Sequence, residues 1–280
     1  MELRNEILDD YTRYCERKIR EEFRAKTPNQ YDPIYSYQRY KCRIIESIPR
    51  EVKEAKCLSV PNEYFSAYAK IKKDIETGEP LRKYQSRKLK QLDYDDDMLS
   101  HWGIQHLHLS DELQGDGFVQ RTGDLLFVHF DNCSAHIIGI FNHSSWCDLD
   151  LIEIMHSNWP DRMSAFRMES GMRKLTEEEH KVLRGKHANA NIVLDDGTEY
   201  MNPGFGVTSN GSPINAVLNS DKVIAMLNHQ FETIKVNMPQ ILEAAKCRET
   251  LNNVTIGLEV DNRTKQLVFK IKELDFYFTI

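Results

Sequence analysis

The chain has 280 residues, of which 40% are hydrophobic, 29% are charged and 10% are aromatic, with 13 Gly and 9 Pro. This composition excludes a disordered chain, a collagen-like repeat and a low-complexity linker, and the length suffices for one large domain or two ordinary ones. No apolar run approaches the roughly 18–20 residues that cross a bilayer, and the charged first residues contain no signal-peptide core. We therefore expect a soluble, cytoplasmic protein with no membrane partner.

The net charge of −6 is unevenly distributed along the chain. Residues 1–92 contain 21 Lys and Arg against 15 Asp and Glu, a net charge of +6, whereas the remainder carries −12. A basic N-terminal third is typical of a protein that binds a polyanion or an acidic partner. The same charge could equally neutralise the chain's own acidic body, and both interpretations stay open.

The six cysteines lie far apart and form no CxxC pair. This spacing gives no support to a zinc ribbon, and a disulfide framework is unusual in a long chain without an export signal. We therefore expect free and mostly buried thiols.

Residues 1–92 have the pattern of a basic helical region. Apolar residues recur with the spacing of one helix face near the N-terminus: Leu3, Ile7, Tyr11 and Tyr14. A second helix is predicted from an N-cap at Asn62 to a stop at Gly78. The segment 81–92 predicts a short basic helix, and the acidic run 93–97 then marks a boundary.

Residues 93–160 change to the pattern of a sheet. Three runs rich in β-branched and aromatic residues, separated by turn formers, predict a three-stranded antiparallel meander: 102–110, 124–132 and 135–143. A helix is expected next, with Asp148 as its N-cap and Pro160 as its stop.

Residues 161–280 predict an α+β region that packs on the same body. Thr176 and Glu179 have the spacing of a capping box and open a helix. Asp196 and Gly197 predict the turn of a hairpin. The segment 202–213 is expected to be a flexible polar loop.

A long helix, kinked or split at Pro239, follows this loop. Two or three strands around a turn at Asn262–Lys265 then complete the chain. The predicted fold class is therefore α+β, with an N-terminal helical region, an antiparallel β-meander core with packed helices, and a C-terminal β-hairpin or three-stranded element.

Seven of the ten histidines lie between residues 101 and 156. Because side chains alternate along a strand, His106 and His108 share one face, and neighbouring strands present several imidazoles to a common solvent-facing surface. Arg121 precedes the second strand, and His143 ends the third. For each histidine alone, a partly buried and hydrogen-bonded strand residue is the competing interpretation.

This set suits RNA cleavage through the 2′-hydroxyl. Imidazoles accept and return protons near neutral pH, and an arginine stabilises the charge of a phosphorane-like transition state. We therefore predict a catalytic site that needs neither a metal nor a cofactor, made of His106, His108, Arg121 and His143.

Two other chemistries use residues of the same region. The HxH pair of His106 and His108 can chelate a metal, and acidic residues follow at a nearby helix start: Asp148, Asp150 and Glu153. Cys147 beside His143 is a conceivable thiol nucleophile, although nothing local indicates its activation. The leading hypothesis keeps the site metal-free.

The segment from Gly103 to Trp146 contains GIQHLHL, a link with Arg121, GDLLFVHFDN and AHIIGIFNHSSW. It resembles the core of RelE/ParE-type toxins, whose members are shorter and basic and use arginines where this chain has histidines. The resemblance implies a metal-independent endoribonuclease that acts on free or ribosome-bound RNA. It also implies roles for the matching residues: His106 and His108 as the first-strand basic pair, Arg121 as the phosphate charge, His143 as the proton-transfer residue and Trp146 as the nearby aromatic.

The leading hypothesis is an RNA-cleaving toxin or defence protein, with RNA or the ribosome as partner and a protein antitoxin as a second partner. The expected RNA-binding residues are Arg82, Lys83, Arg87, Lys88, Lys90 and Trp146. Four tyrosines are available for base stacking unless they pack internally: Tyr31, Tyr35, Tyr37 and Tyr40. A non-catalytic interaction or immunity-type module with an acidic body and a metal-dependent hydrolase remain as alternatives.

Overall fold

The computed structural model describes residues 1–23, 32–246, 251–261, 264 and 266–280. These residues form helices and strands in mixed sheets, which confirms the predicted α+β class. The helices are α1 (Ile7–Phe23), α2 (Pro33–Arg43), α3 (Phe65–Thr77), α4 (Asp97–Trp102), α5 (Asp150–Asn158), α6 (Pro160–Met163), α7 (Glu177–Gly185) and α8 (Ile214–Ala244). The strands are β1 (Glu2–Asn5), β2 (Glu51–Glu54), β3 (Ile104–His108), β4 (Asp124–Phe130), β5 (Ser134–Asn142), β6 (Arg167–Met168), β7 (Ile192–Val193), β8 (Glu199–Tyr200), β9 (Asn253–Val260), β10 (Leu267–Ile271) and β11 (Phe276–Phe278).

The elements group into two compact units. The first unit comprises Met1–Arg39 and Ala216–Ile280, and the second comprises Tyr40–Asn215. This grouping differs from the three consecutive regions expected from the sequence. The difference arises because β1, α1 and the first part of α2 pack with the C-terminal strands, whereas the chain from Tyr40 onward belongs to the second unit.

The first unit contains a four-stranded sheet with the order β1–β9–β10–β11. β1 runs parallel to β9, and β10 runs antiparallel to both β9 and β11, which gives the predicted C-terminal three-stranded element. Of the expected Asn262–Lys265 turn, only Thr264 lies within the described residues. The expected helical position of Leu3 is wrong, since Leu3 pairs with Val254 in the sheet.

Helices cover the apolar side of this sheet. α1 buries Ile7, Tyr11 and Cys15 in the same core as strand residues of β9. α8 continues through Pro239, so the expected split of this helix does not occur. Among the described residues, no helix combines the length and the apolar character needed to cross a membrane.

The second unit is built around a sheet with the order β2–β5–β4–β3. β3, β4 and β5 form the predicted antiparallel meander, with Leu126 opposite Ile140. β2 adds a parallel edge strand, with Glu51 opposite Ser134. The prediction of a wholly helical region 1–92 is therefore wrong at β1 and β2. The short, charged sequence EVKE of β2 is typical of an edge strand and carries no β-rich pattern.

The register of the meander separates two faces with different coverings. One face is covered by α3 and carries aliphatic side chains of the strands: Leu107, Leu126, Val128 and Ile137. The other face, which we call the α5 face, packs against α4 and α5 and carries a second apolar set: Ile104, Leu125, Phe127 and Ile138. Each strand of the meander is therefore buried on both sides.

Several local signals act as the sequence predicts. The Thr176 hydroxyl accepts the N–H of Glu179 at 3.2 Å, and the Glu179 carboxylate accepts the N–H of Thr176 at 2.9 Å, which completes the capping box. Gly78 ends α3 with a φ of 76°. β7 and β8 form the predicted hairpin around Asp196 and Gly197, and β6 extends it to a small sheet.

Two of the predicted helices differ from the structure, whereas the predicted cap of a third is present. α3 begins at Phe65 after a 3-10 turn at Asn62–Tyr64, and Asn62 makes no side-chain cap. The segment 81–92 forms two 3-10 turns instead of one helix, because Ser86 accepts the N–H of Lys88 and starts a new turn. α5 begins at Asp150, and the predicted cap is present, because the Asp148 carboxylate accepts the Asp150 N–H at 3.0 Å.

The described cysteines form no disulfide and are less buried than expected. Of the five cysteines described, only Cys15 is buried, whereas Cys57 and Cys133 are exposed. Cys247 lies outside the described residues.

The predicted loop 202–213 is anchored on α4 rather than free. The Gly204 N–H donates to the His101 carbonyl at 2.9 Å, and the Gly206 N–H donates to the Ser100 carbonyl at 2.7 Å. A methyl group on Gly204 would collide with the backbone of α4, where it would lie 2.6 Å from the Ser100 carbonyl oxygen. Glycine is therefore required for this close approach.

Gly204→Ala is expected to lower the free energy of unfolding by about 1–3 kcal/mol, the usual cost of overpacking against backbone. Gly115→Ala is the matched control, because a methyl group at this position would have no atom of the described residues within 4 Å. Urea denaturation of both variants measures the difference. Equal stability of the two variants would contradict the anchored loop.

Candidate functional site

Four histidines lie on the α5 face of the meander: His106, His108, His129 and His136. Their side chains share this face because side chains alternate along each strand and paired residues of neighbouring strands point the same way. His129 lies directly opposite His136 on the neighbouring strand. The exposed fractions of the four residues are between 2% and 5%. The rings thus share one face, as predicted. The face is buried, however, so the predicted exposure to solvent is wrong.

Two of these rings join His143 and Trp146 in what we call the imidazole cluster. The ring centroid of His106 lies 4.7 Å from Trp146, and that of His108 lies 5.9 Å from His143. His143 lies 6.2 Å from Trp146, which makes the four rings contiguous. His143 and Trp146 are half-buried, so the cluster reaches the surface through them.

Arg121 is exposed and lies in the link that precedes β4. Burial lowers the pKa of His108 to about 4, and the charges of His106, His143 and Arg121 act in the same direction. Arg121 is therefore within electrostatic range of the imidazole cluster. The Thr122 N–H donates to His108 Nδ1 at 3.2 Å, which leaves the proton of the neutral ring on Nε2.

His106 faces a carboxylate that the sequence analysis did not select. Asp96 Oδ2 lies 3.6 Å from His106 Nδ1, which has no hydrogen-bond partner among the described residues. Burial lowers the pKa of His106, and Asp96 partly opposes this effect. Asp96 also caps α4 by accepting the Leu99 N–H at 3.1 Å. Asp96 stands immediately before α4, and an aspartate at such an N-cap position is the sequence signal that could have distinguished it from its acidic neighbours.

His129 and His136 form a separate pair with a centroid distance of 6.1 Å. His129 Nδ1 donates to the Gly103 carbonyl at 3.0 Å, so Nε2 accepts from the Arg162 guanidinium at 3.3 Å. The His136 ring packs 4.9 Å from Trp159. Burial lowers the pKa of both histidines, and that of His129 to about 4. This pair has the environment of packed structural histidines.

Most of the predicted RNA-binding cations are paired with acidic groups. Lys83 Nζ lies 2.8 Å from Asp74 Oδ2, and Arg87 Nε lies 2.7 Å from Asp116 Oδ2. Lys90 donates to the Asp116 carbonyl at 3.1 Å. Of the two interpretations of the basic segment, these contacts favour internal neutralisation.

Lys88 differs from its neighbours in the basic segment. It is exposed, and its ammonium group lies 5.0 Å from the centroid of the Tyr94 ring. Its charge also contributes to the lowered pKa of His106, after burial. Arg82 is half-buried. The charges of Lys88, on His106, and of Arg87, on His108, therefore both act on the imidazole cluster.

The tyrosines considered for base stacking are involved in packing. Tyr37 lies edge-on to Tyr14 at 6.0 Å, Tyr35 is half-buried, and Tyr40 is 8% exposed. Tyr31 lies outside the described residues.

The structure does not favour the metal or the thiol alternative. In the described ranges, no group of three or more His, Cys, Asp or Glu side chains is arranged to hold a metal ion, so His106 and His108 lack further ligands. Cys147 Sγ lies 3.4 Å from Arg184 Nη1, and burial raises the pKa of the thiol. A raised pKa reduces the thiolate fraction that a nucleophile needs.

Comparison with protein-family models, with curated proteins and with solved structures gives no match for this chain. The interpretation of the site therefore depends on its geometry and chemistry. The resemblance of Gly103–Trp146 to RelE/ParE-type toxins stays a prediction.

Because these histidines are buried, we predict that the free energy of unfolding decreases in mild acid. Burial lowers the pKa of six of them: His101, His106, His108, His129, His136 and His180. In the unfolded chain each ring takes up a proton near pH 6.5, whereas folded His108 and His129 do so near pH 4. Since the unfolded state binds more protons, the free energy of unfolding falls between about pH 7 and 4, by up to about 1.4 kcal/mol per pH unit for each ring.

Urea denaturation at several pH values measures this slope. His129→Gln removes one of the rings and should make the slope shallower, whereas His229→Gln, at an exposed position, should leave the slope unchanged. A free energy of unfolding that is independent of pH in this range would show that the rings are not held neutral.

Proposed function

We propose that the chain is a metal-independent endoribonuclease whose active site is the imidazole cluster. One observation carries this proposal: His106 and His108 of β3 converge with His143, which follows β5, and with Trp146 in one contiguous set of rings. The positive charge of Arg121 acts on the same set. A proton-transfer group, an aromatic ring and a cation at one place suit cleavage of RNA by its own 2′-hydroxyl.

His143 is the proton-transfer residue in this proposal, because it is half-buried and within reach of a substrate. It takes the proton of the 2′-hydroxyl while the 2′-oxygen attacks phosphorus. The bond from phosphorus to the 5′-oxygen breaks, and this oxygen takes a proton from water. The products are a 2′,3′-cyclic phosphate and a 5′-hydroxyl end.

The buried rings act as positioning residues. His108 packs against His143. The hydrogen bond that His108 Nδ1 accepts from the Thr122 N–H fixes the tautomer and the orientation of the His108 ring. His106 packs in the same way against Trp146. Arg121 is the group that stabilises the negative charge of the phosphate, since it is exposed and permanently charged.

The proposed substrate is free or ribosome-bound RNA in the cytoplasm. Because uncontrolled cleavage of cellular RNA damages the cell, we propose a toxin or defence role in which a protein antitoxin holds the enzyme inactive. The resemblance of Gly103–Trp146 to RelE/ParE-type toxins supports the same assignment.

A non-catalytic interaction or immunity-type module is the second candidate. The observation that favours it is the burial of the four strand histidines, which lowers their pKa and keeps them uncharged. The pairing of Arg87 with Asp116 also reduces the charge available for RNA. In this alternative the acidic body binds a protein partner.

His143→Ala is expected to reduce cleavage of labelled RNA by about 100-fold or more, the usual contribution of a general base. His156→Ala is the matched control, because His156 is also half-buried but bonds Tyr200 and Asp196 instead. Both variants are assayed in excess EDTA, with thermal melts to confirm folding. Mass spectrometry of the fragments identifies the predicted 2′,3′-cyclic phosphate ends.

Wild-type cleavage by His143→Ala would show that the site assignment is wrong. Loss of cleavage in EDTA, restored by a divalent cation, would contradict the metal-free mechanism. Absence of RNA cleavage together with a stable heterodimer isolated from cells would favour the interaction module.

A further inference from the structure

A cleft of about 510 Å³ opens beside the imidazole cluster. Its lining combines two aromatic rings, Tyr94 and Trp146, with side chains of both charges. Trp146 belongs to both places, since the same indole packs 4.7 Å from His106. One aromatic ring therefore connects the cleft to the proposed active site.

Arg184 lines this cleft with a buried guanidinium that its contacts hold in place. Its exposed fraction is 7%, and its guanidinium lies 4.0 Å from the ring centroid of Trp102 and donates to the Trp146 carbonyl through Nη1. Nη2 has no hydrogen-bond partner among the described residues. A buried donor without a partner costs free energy, and a ligand that accepts from it recovers that cost.

Asp97 supplies an acceptor to the same cleft. It lies in the first turn of α4, where Asp96 rather than Asp97 caps the helix. In the part of the chain that the structure describes, no hydrogen bond or ion pair engages the Asp97 carboxylate. Asp97 is an exposed residue, but partial desolvation of its carboxyl group raises its pKa, and the charge of Arg184 opposes this effect. The two groups therefore lie within electrostatic range without a direct ion pair.

A donor and an acceptor beside an aromatic ring match the edge of guanine. Guanine presents the O6 and N7 acceptors, and next to O6 it presents the N1–H and N2–H donors, which one carboxylate can accept together. Adenine has an amino donor at the position of the guanine O6, and its N1 is unprotonated and can only accept. Adenine would therefore place its amino donor against the donor Arg184 and its N1 acceptor against the acceptor Asp97. Stacking on an aromatic ring holds any base, but this polar pair selects guanine.

We infer that the cleft binds a guanine base of the RNA substrate, with Trp146 as the stacking ring, Arg184 donating to O6 and Asp97 accepting from N1–H and N2–H. This inference rests on the proposed function, because it assigns the base preference of the same site. Lys88 and Lys181 also line the cleft and provide positive charge for the flanking phosphates.

The test uses oligoribonucleotides that differ at a single position, which carries guanosine, inosine or adenosine. The wild-type protein is expected to cleave next to guanosine at least about tenfold faster than next to adenosine. Inosine, which lacks the 2-amino group, should fall between them. Asp97→Asn should remove the preference, whereas Asp93→Asn, in the same acidic run, should retain it.

A second measurement separates this inference from the proposed activity. Calorimetric titration of the wild-type protein compares guanosine 3′-monophosphate with adenosine 3′-monophosphate, and Asp97→Asn is the variant that should lose the difference. Cleavage without a base preference would overturn the guanine site and leave the nuclease intact. Selective binding of the guanosine nucleotide without RNA cleavage would support the site and contradict the nuclease. No cleavage and no selective binding would overturn both.

Discussion

The alternation of side chains along β3, β4 and β5 determines what the second unit can do. The register puts His106 and His108 on the face that also carries Leu125 and Phe127 of the apolar core. A charged imidazole is costly there, because burial removes the water that would solvate it. The strand histidines are therefore neutral near pH 7, and the proposed proton transfer is assigned to His143, where the same cluster meets the surface.

The same constraint separates histidines that look alike in the sequence. His106 and His108 contact the rings near Trp146, whereas His129 is fixed between the Gly103 carbonyl and the Arg162 guanidinium. The first two rings are connected through Trp146 to a surface cleft, whereas both ring nitrogens of His129 are already hydrogen-bonded. The number of histidines on a sheet face is therefore less informative than the hydrogen bonds that each ring already makes.

Much of the fold could be predicted from local patterns. The meander, the capping box at Thr176 and the hairpin at Asp196 all depend on neighbouring residues, and all are present. β1 and β2 could not be predicted, because they are short, polar strands stabilised by pairing with distant partners. The convergence of His108 with His143 followed from strand order. The burial of the sheet face that carries these histidines depends on α4 and α5, whose placement no local pattern specifies.

The pairing of β1 with β9 has a consequence for synthesis of the chain. Leu3 forms its sheet contact with Val254, so the first strand leaves the ribosome long before its partner exists. Until then the apolar side chains of α1, such as Ile7, lack the strand residues that cover them in the finished protein. The segment with β1 and α1 must wait until β9 has been synthesised, and this interval is when chaperones or premature association would act on it.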